Sequence, residues 1–171
     1  MNYAFGAARG LYAQHRHPRM LFGPEDVDRL REISGAGDGA KIATALRQRA
    51  HAAAEDVLAY ESDEALVSDT TTRDSTGRAL IARGRTTRIA DMAVCSLIGE
   101  DAEERERMVS AVRRLLRTVP IADGNIEGRT SLGYSSLRVL GPAYDMIQPQ
   151  LPDEERTAFC TWALRRAIEP T

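Results

Sequence analysis

Between Thr86 and Val119 the apolar positions fall into two stripes separated by a short polar break. In the first, Ile89, Met92, Ala93 and Leu97 recur with Ser96 at three- and four-residue spacing, which places them on one face of an α-helix. Met108, Val112, Leu115, Leu116 and Val119 form the second stripe. Gly99 lies just past the first, where a glycine can take the left-handed conformation that closes a helix. Asp101 then stands as the cap of the second helix, with Glu104 placed to complete a capping box. Glu103, Glu104 and Glu106 gather toward the start of that helix and Arg113, Arg114 and Arg117 toward its end, the order its dipole favours. The pattern predicts an antiparallel helical hairpin, and the flanking segments read as further turns of one helical stack.

Upstream, residues 1–16 show no period and read as an irregular N-terminal arm, with 17–171 as the domain. Pro24 suits the first position of a short helix that reaches about Ile33, with Val27, Leu30 and Ile33 inward. Ser34 to Gly39 breaks it. From Ala40 to about Tyr60 a longer helix carries Ile42, Leu46, Ala50, Ala53 and Val57 on one stripe, and its alanines allow a neighbour to approach closely. Ser, Thr, Asp and Gly dominate 68–77, so Glu61 to Arg85 reads as a long loop with a short helical turn at Ala79 to Ala82. Pro120 to Gly128 reads as another loop, with Asp123-Gly124-Asn125 a tight turn. Helix returns from about Thr130 to Ile147 with a kink expected at Pro142. A turn at Pro149-Gln150-Leu151 precedes a last helix that Pro152 opens and that ends at Glu169-Pro170. No segment has the alternation of a strand, so the fold class is all-α.

The length of 171 residues suits one domain able to bury its own core. A net charge of −2 and a pI near 6.0 leave no electrostatic footprint for nucleic acid. Lys41 is the only lysine, so the positive charge is almost all arginine. That suits acidic ligands or reflects a compositional bias. Cys95 and Cys160 fall inside predicted helices and read as buried thiols. Arg9, Gln14, His15, Arg16 and His17 interrupt any signal-peptide core, and no apolar run is long enough for a membrane. His15, His17 and His51 lack metal-ligand spacing, and no cofactor motif stands out.

Four stretches together resemble one family. His17-Pro18-Arg19-Met20-Leu21-Phe22, followed by Pro24 to Arg31, looks like the opening of heparinase II/III-type and alginate-lyase-type polysaccharide lyases. The hairpin through Gly99-Glu100-Asp101, the Gly141-Pro142-Ala143-Tyr144-Asp145-Met146-Ile147 stretch and the Leu151-Pro152-Asp153-Glu154-Glu155-Arg156 helix start are similar to later parts of the same domain.

The resemblance implies an incomplete (α/α) toroid of antiparallel helical hairpins whose groove holds an acidic polysaccharide or oligosaccharide. Such enzymes act by β-elimination on a uronic acid, which needs a base matched to a weakly acidic carbon and donors at its carboxylate. Members of this family are often periplasmic or secreted. Their catalytic Asn and Tyr/His come after the helix that matches Asp153 to Ala167, so no residue here corresponds to a catalytic position, and the expectation is the N-terminal part of a lyase without turnover of its own. An open toroid edge would favour self-association. From the residues themselves, Asn125, Arg129 and Tyr134 are candidate substrate contacts: Arg129 for a carboxylate and Tyr134 for stacking on a sugar ring. Arg129 also reads as a solvated helix-start residue and Tyr134 as a core residue. Asp145 reads as a brace and Trp162 as a core anchor. A non-enzymatic helical-repeat scaffold or a glycan-binding module is the alternative.

Overall fold

The computed structural model describes residues 21, 23, 25–70, 83–124 and 132–168. Among them are seven α-helices and no strand. They are α1 (Asp26–Ser34), α2 (Gly37–Leu58), α3 (Asp63–Thr70), α4 (Arg83–Ile98), α5 (Ala102–Gly124), α6 (Leu132–Ile147) and α7 (Asp153–Ile168). A single 3₁₀ turn, Gln148–Gln150, links the last two.

The packing sorts the longer elements into two rows. In one, α4 lies between α2 and α6; in the other, α5 lies between α3 and α7. The rows are joined where α4 packs along α5 and where α6 meets α7, while α1 closes over α2 and α4. Packing of sequence-alternate helices is how stacked hairpins bury an apolar face on both sides. Ile89, Met92 and Cys95 of α4 and Met108, Val112 and Leu115 of α5 are buried in one cluster with Ala50, Ala54, Val57, Leu66, Leu140 and Ile147. Each large apolar side chain so buried is worth about 1.5–3 kcal/mol.

The turn between α4 and α5 follows the expected chemistry with two corrections: Glu104 closes back on the N–H of Glu100, one residue before the cap, rather than on that of Asp101, and Gly99 does not take the expected conformation. The Glu104 N–H donates to Asp101 Oδ1 at 2.7 Å, and the Glu104 carboxylate accepts the Glu100 N–H, also at 2.7 Å. Gly99 is not left-handed; among the described glycines that conformation belongs to Gly37, at φ +57°. What Gly99 supplies is space, since a Cβ there would stand 2.9 Å from both the Cys95 carbonyl oxygen and Arg105 Cγ.

Other expectations shift by a few residues. The break after α1 is only Gly35–Ala36, because the positive φ of Gly37 turns the chain straight into α2. The buried stripe of α2 is Ala43, Ala50, Ala54 and Val57, and Ile42 is 69% exposed. Ile33, expected inward on α1, is 50% exposed because that short helix buries no residue fully. Part of the expected long loop is the helix α3, which forms because Leu66 and Val67 find burial against α5. Likewise α5 continues through Pro120 to Gly124, so Asp123 and Gly124 are helical rather than a turn. Tertiary support explains it: Leu116, Pro120 and Ile121 face Leu151, Ala158 and Phe159 across one cavity, which compensates for the amide hydrogen bond that proline lacks. Residues 79–82 lie outside the described residues.

Cys95 is buried as expected, but Cys160 is exposed and its Sγ lies 3.3 Å from the Tyr144 hydroxyl. Tyr144 stacks on Phe159 at 4.7 Å between centroids, and Trp162 packs against Phe159 at a tilt, 5.5 Å away. Asp145 is buried. No helix is long and apolar enough to cross a membrane among the described residues.

Candidate functional site

On α5 the arginines at 113, 114 and 117 project toward two other helices, because positions four apart share a face and the intervening one is turned a quarter-circle away. Each of those helices presents a carboxylate from its first turn, where the helix dipole favours negative charge. Asp63 opens α3 and Glu155 belongs to the first turn of α7. Arg113 donates to Glu155 through Nε at 2.7 Å and through Nη2 at 2.8 Å, a bidentate pair. Arg114 donates from Nε to Asp63 Oδ1 at 3.0 Å and from Nη1 to the Val57 carbonyl at 3.0 Å. Arg117 spans both acids, with Nε 2.6 Å from Asp63 Oδ2 and Nη1 3.4 Å from Glu155 Oε1.

Electrostatics follow from the geometry. The Arg117 hydrogen bond, above all, holds the Asp63 carboxyl below its ordinary value, and Arg113 does the same for Glu155. In return Arg113 and Arg117 are held above the ordinary arginine value by those carboxylates. Three guanidiniums against two carboxylates leave one net positive charge.

Two hollows flank this cluster and share Arg113 and Arg117. One is an open polar groove of about 430 Å³, lined also by Tyr60, Glu61, Ser62, Asp63, Ser110 and Arg114, so that Glu61 offsets part of the positive charge on that side. The other is a more enclosed niche of about 210 Å³ whose walls are mostly apolar: Leu116, Pro120, Ile121, Leu151, Ala158 and Phe159.

A separate open groove of about 620 Å³ runs between α2 and the α4–α5 turn. There His51 Nε2 lies 2.8 Å from Glu104 Oε1, and Arg47 pairs with Glu100. His51 is the only histidine among the described residues, and Glu55, Glu100, Asp101 and Glu104 line the groove with it. That surplus of carboxylates repels a uronate. The imidazole groove and the arginine groove share no lining residue, so His51 does not stand beside the arginine cluster, whereas Tyr60 does. No group of side chains suited to hold a metal ion occurs among the described residues.

Of the candidate contacts read from the sequence, Asn125 and Arg129 lie outside the described residues. Tyr134 is in the first turns of α6, with its side chain also outside them. The arginine cluster was not anticipated. Its partners stand far apart in the chain, and the available signal was acids in the first turns of two helices together with the arginines of α5.

Fold and site therefore define an all-helical protein of layered hairpins, pinned on one side by an arginine–carboxylate cluster. Comparison of the chain with protein-family models, with curated proteins and with solved structures finds no match in any of the three.

Proposed function

We propose that this chain is a segment of an (α/α) toroid of the polysaccharide-lyase kind, and that it binds an acidic polysaccharide or oligosaccharide without cleaving it. The observation that carries the reading is the packing of α2, α4 and α6 as one row and α3, α5 and α7 as another. Stacked hairpins of this kind form the layers of such a ring, and three of the four sequence stretches that resemble the lyases fall on or between these helices: Gly99–Asp101, Gly141–Ile147 and Leu151–Arg156. A carboxylated sugar would meet Arg113, Arg117 and the Ser110 hydroxyl in the open polar groove.

The test is to pass the purified chain over immobilised alginate, heparan and neutral dextran while following ultraviolet absorbance for new double bonds. Retention on the uronate polymers that weakens with salt, with no absorbance rise, is the expected result. Equal retention on dextran, or none on any uronate polymer, overturns the reading. Appearance of the unsaturated product overturns the part of it that denies turnover.

A non-enzymatic helical-repeat scaffold is the second reading, favoured by the separation of His51 from the arginine groove. Both readings include self-association through an open edge, and Ile33 of α1 and Ile42 of α2 are among the large apolar side chains that stand exposed.

A further inference from the structure

The niche beside the arginine cluster has the makings of a binding site of its own. Its floor and walls are Leu116, Leu151 and Phe159, all buried, with Pro120, Ile121 and Ala158 around the opening. At its polar rim stand Arg113 and Arg117 with Glu155 between them. The arginines are oriented before any ligand arrives: Nε and Nη2 of Arg113 hold Glu155, while Nε and Nη1 of Arg117 hold Asp63 and Glu155. Among the described residues this leaves Nη1 of Arg113 and Nη2 of Arg117 without a protein acceptor. Their side chains are 40% and 41% exposed, and both line the niche.

An apolar hollow with a few fixed polar groups at its edge is the usual construction of a small-molecule site. A volume of about 210 Å³ takes a group the size of one ring or a short branched chain and nothing larger. Neutral ligands would gain less from the rim than an anion, which adds charge to the hydrogen bonds, and cations would be repelled by its net positive charge. We propose that the niche binds a small carboxylic acid bearing one aromatic or branched apolar group, the apolar part between Leu116, Leu151 and Phe159 and the carboxylate on Arg113 and Arg117. Glu155 remains ionised, because its own arginine contacts hold its proton affinity down, and it keeps the two guanidiniums apart at a fixed spacing. This inference stands apart from the glycan reading, which concerns the open groove on the other side of the same arginines.

Trp162, the only tryptophan of the chain, packs on Phe159 and reports on the niche wall. The experiment titrates the full chain with phenylacetate, phenylacetamide and acetate, following tryptophan fluorescence and amide shifts of Leu116, Leu151 and Phe159. Phenylacetate should saturate and shift these amides, whereas the amide analogue and acetate should each bind about tenfold more weakly or not at all. Arg117→Gln should weaken phenylacetate about tenfold. Because that change also loosens the clamp, Ala158→Phe serves as the second variant: it fills the mouth of the niche, leaves every ion pair in place and should abolish binding. Saturable binding of phenylacetate that survives Ala158→Phe, equal binding of phenylacetamide or acetate, or no binding of phenylacetate overturns the proposal.

Discussion

Nε of Arg114 lies 3.0 Å from Oδ1 of Asp63, fifty-one positions earlier in the chain, and the same guanidinium reaches the Val57 carbonyl at the end of α2. With a side chain only 12% exposed, Arg114 therefore ties α5 to the last turn of α2 and to the first residue of α3. Among the described helices, α3 packs chiefly on α5, so its position depends on this contact and on Leu66.

Asp63→Ala removes the shared acceptor of Arg114 and Arg117 and leaves a largely buried guanidinium short of one partner. The expected loss is about 1–3 kcal/mol, toward the lower end because the Asp63 side chain is partly exposed and screened. Urea unfolding checks it. A midpoint equal to that of the parent chain would show the clamp to be without consequence for stability.

Acid should release the same clamp. The ordinary values of Asp63 and Glu155 are 3.8 and 4.5, and both are lowered in the folded protein by their arginine partners. Between the folded and unfolded values the unfolded chain binds more protons, so stability rises with pH in that window. The contribution is complete above about pH 5 and drains away as pH falls through the depressed folded values. An Asp63→Asn, Glu155→Gln double variant should be less stable at neutral pH and lose less on acidification. Parallel stability curves for variant and parent across this range would contradict the assignment.

Two glycines should respond to substitution in opposite ways. Gly37 has open space around its missing Cβ but a left-handed backbone, so Gly37→Ala should cost about 1–2 kcal/mol and Gly37→Asn much less. Gly99 has the reverse problem, a crowded Cβ position at an ordinary φ, so Gly99→Ala should cost about 1–3 kcal/mol and Gly99→Asn more. Thermal melts of the four variants give the comparison; rescue of Gly99 by asparagine would point to conformation instead of space.

The thiols should separate cleanly. Burial, the largest influence, pushes the Cys95 thiol up to about 12, with Glu104 and Asp91 adding to it. Cys160 is exposed beside the Tyr144 hydroxyl. A thiol reagent at neutral pH should label Cys160 in the folded chain and reach Cys95 only after unfolding. Labelling of both at similar rates without denaturant would mean that α4 opens readily.

The proposed self-association gives the last expectation. Ile42→Glu on α2 should shift any concentration-dependent association toward monomer in sedimentation, at unchanged folding, since the side chain is 69% exposed. A parent chain that stays monomeric at high concentration removes the premise.

Local spacing was enough to place the two hairpin helices, their stripes through Met92 and Val112, and the Asp101–Glu104 cap, because these depend on neighbours within one or two turns. The exposure of Ile42 and the helicity of Asp63–Thr70 were not legible in the same way. An apolar residue on an alanine-rich helix fits more than one phase, and a short polar helix is stable only when another surface buries Leu66. Pro120 within α5 and the exposure of Cys160 likewise depend on what packs nearby. The arginine cluster draws its acids from the first turns of α3 and α7, which meet α5 only through the packing of their row. Periodicity in the chain determined which faces turn inward on the central hairpin; only the tertiary structure decided which charges meet across it, since ion pairing falls off within a few ångströms and those partners are dozens of residues apart.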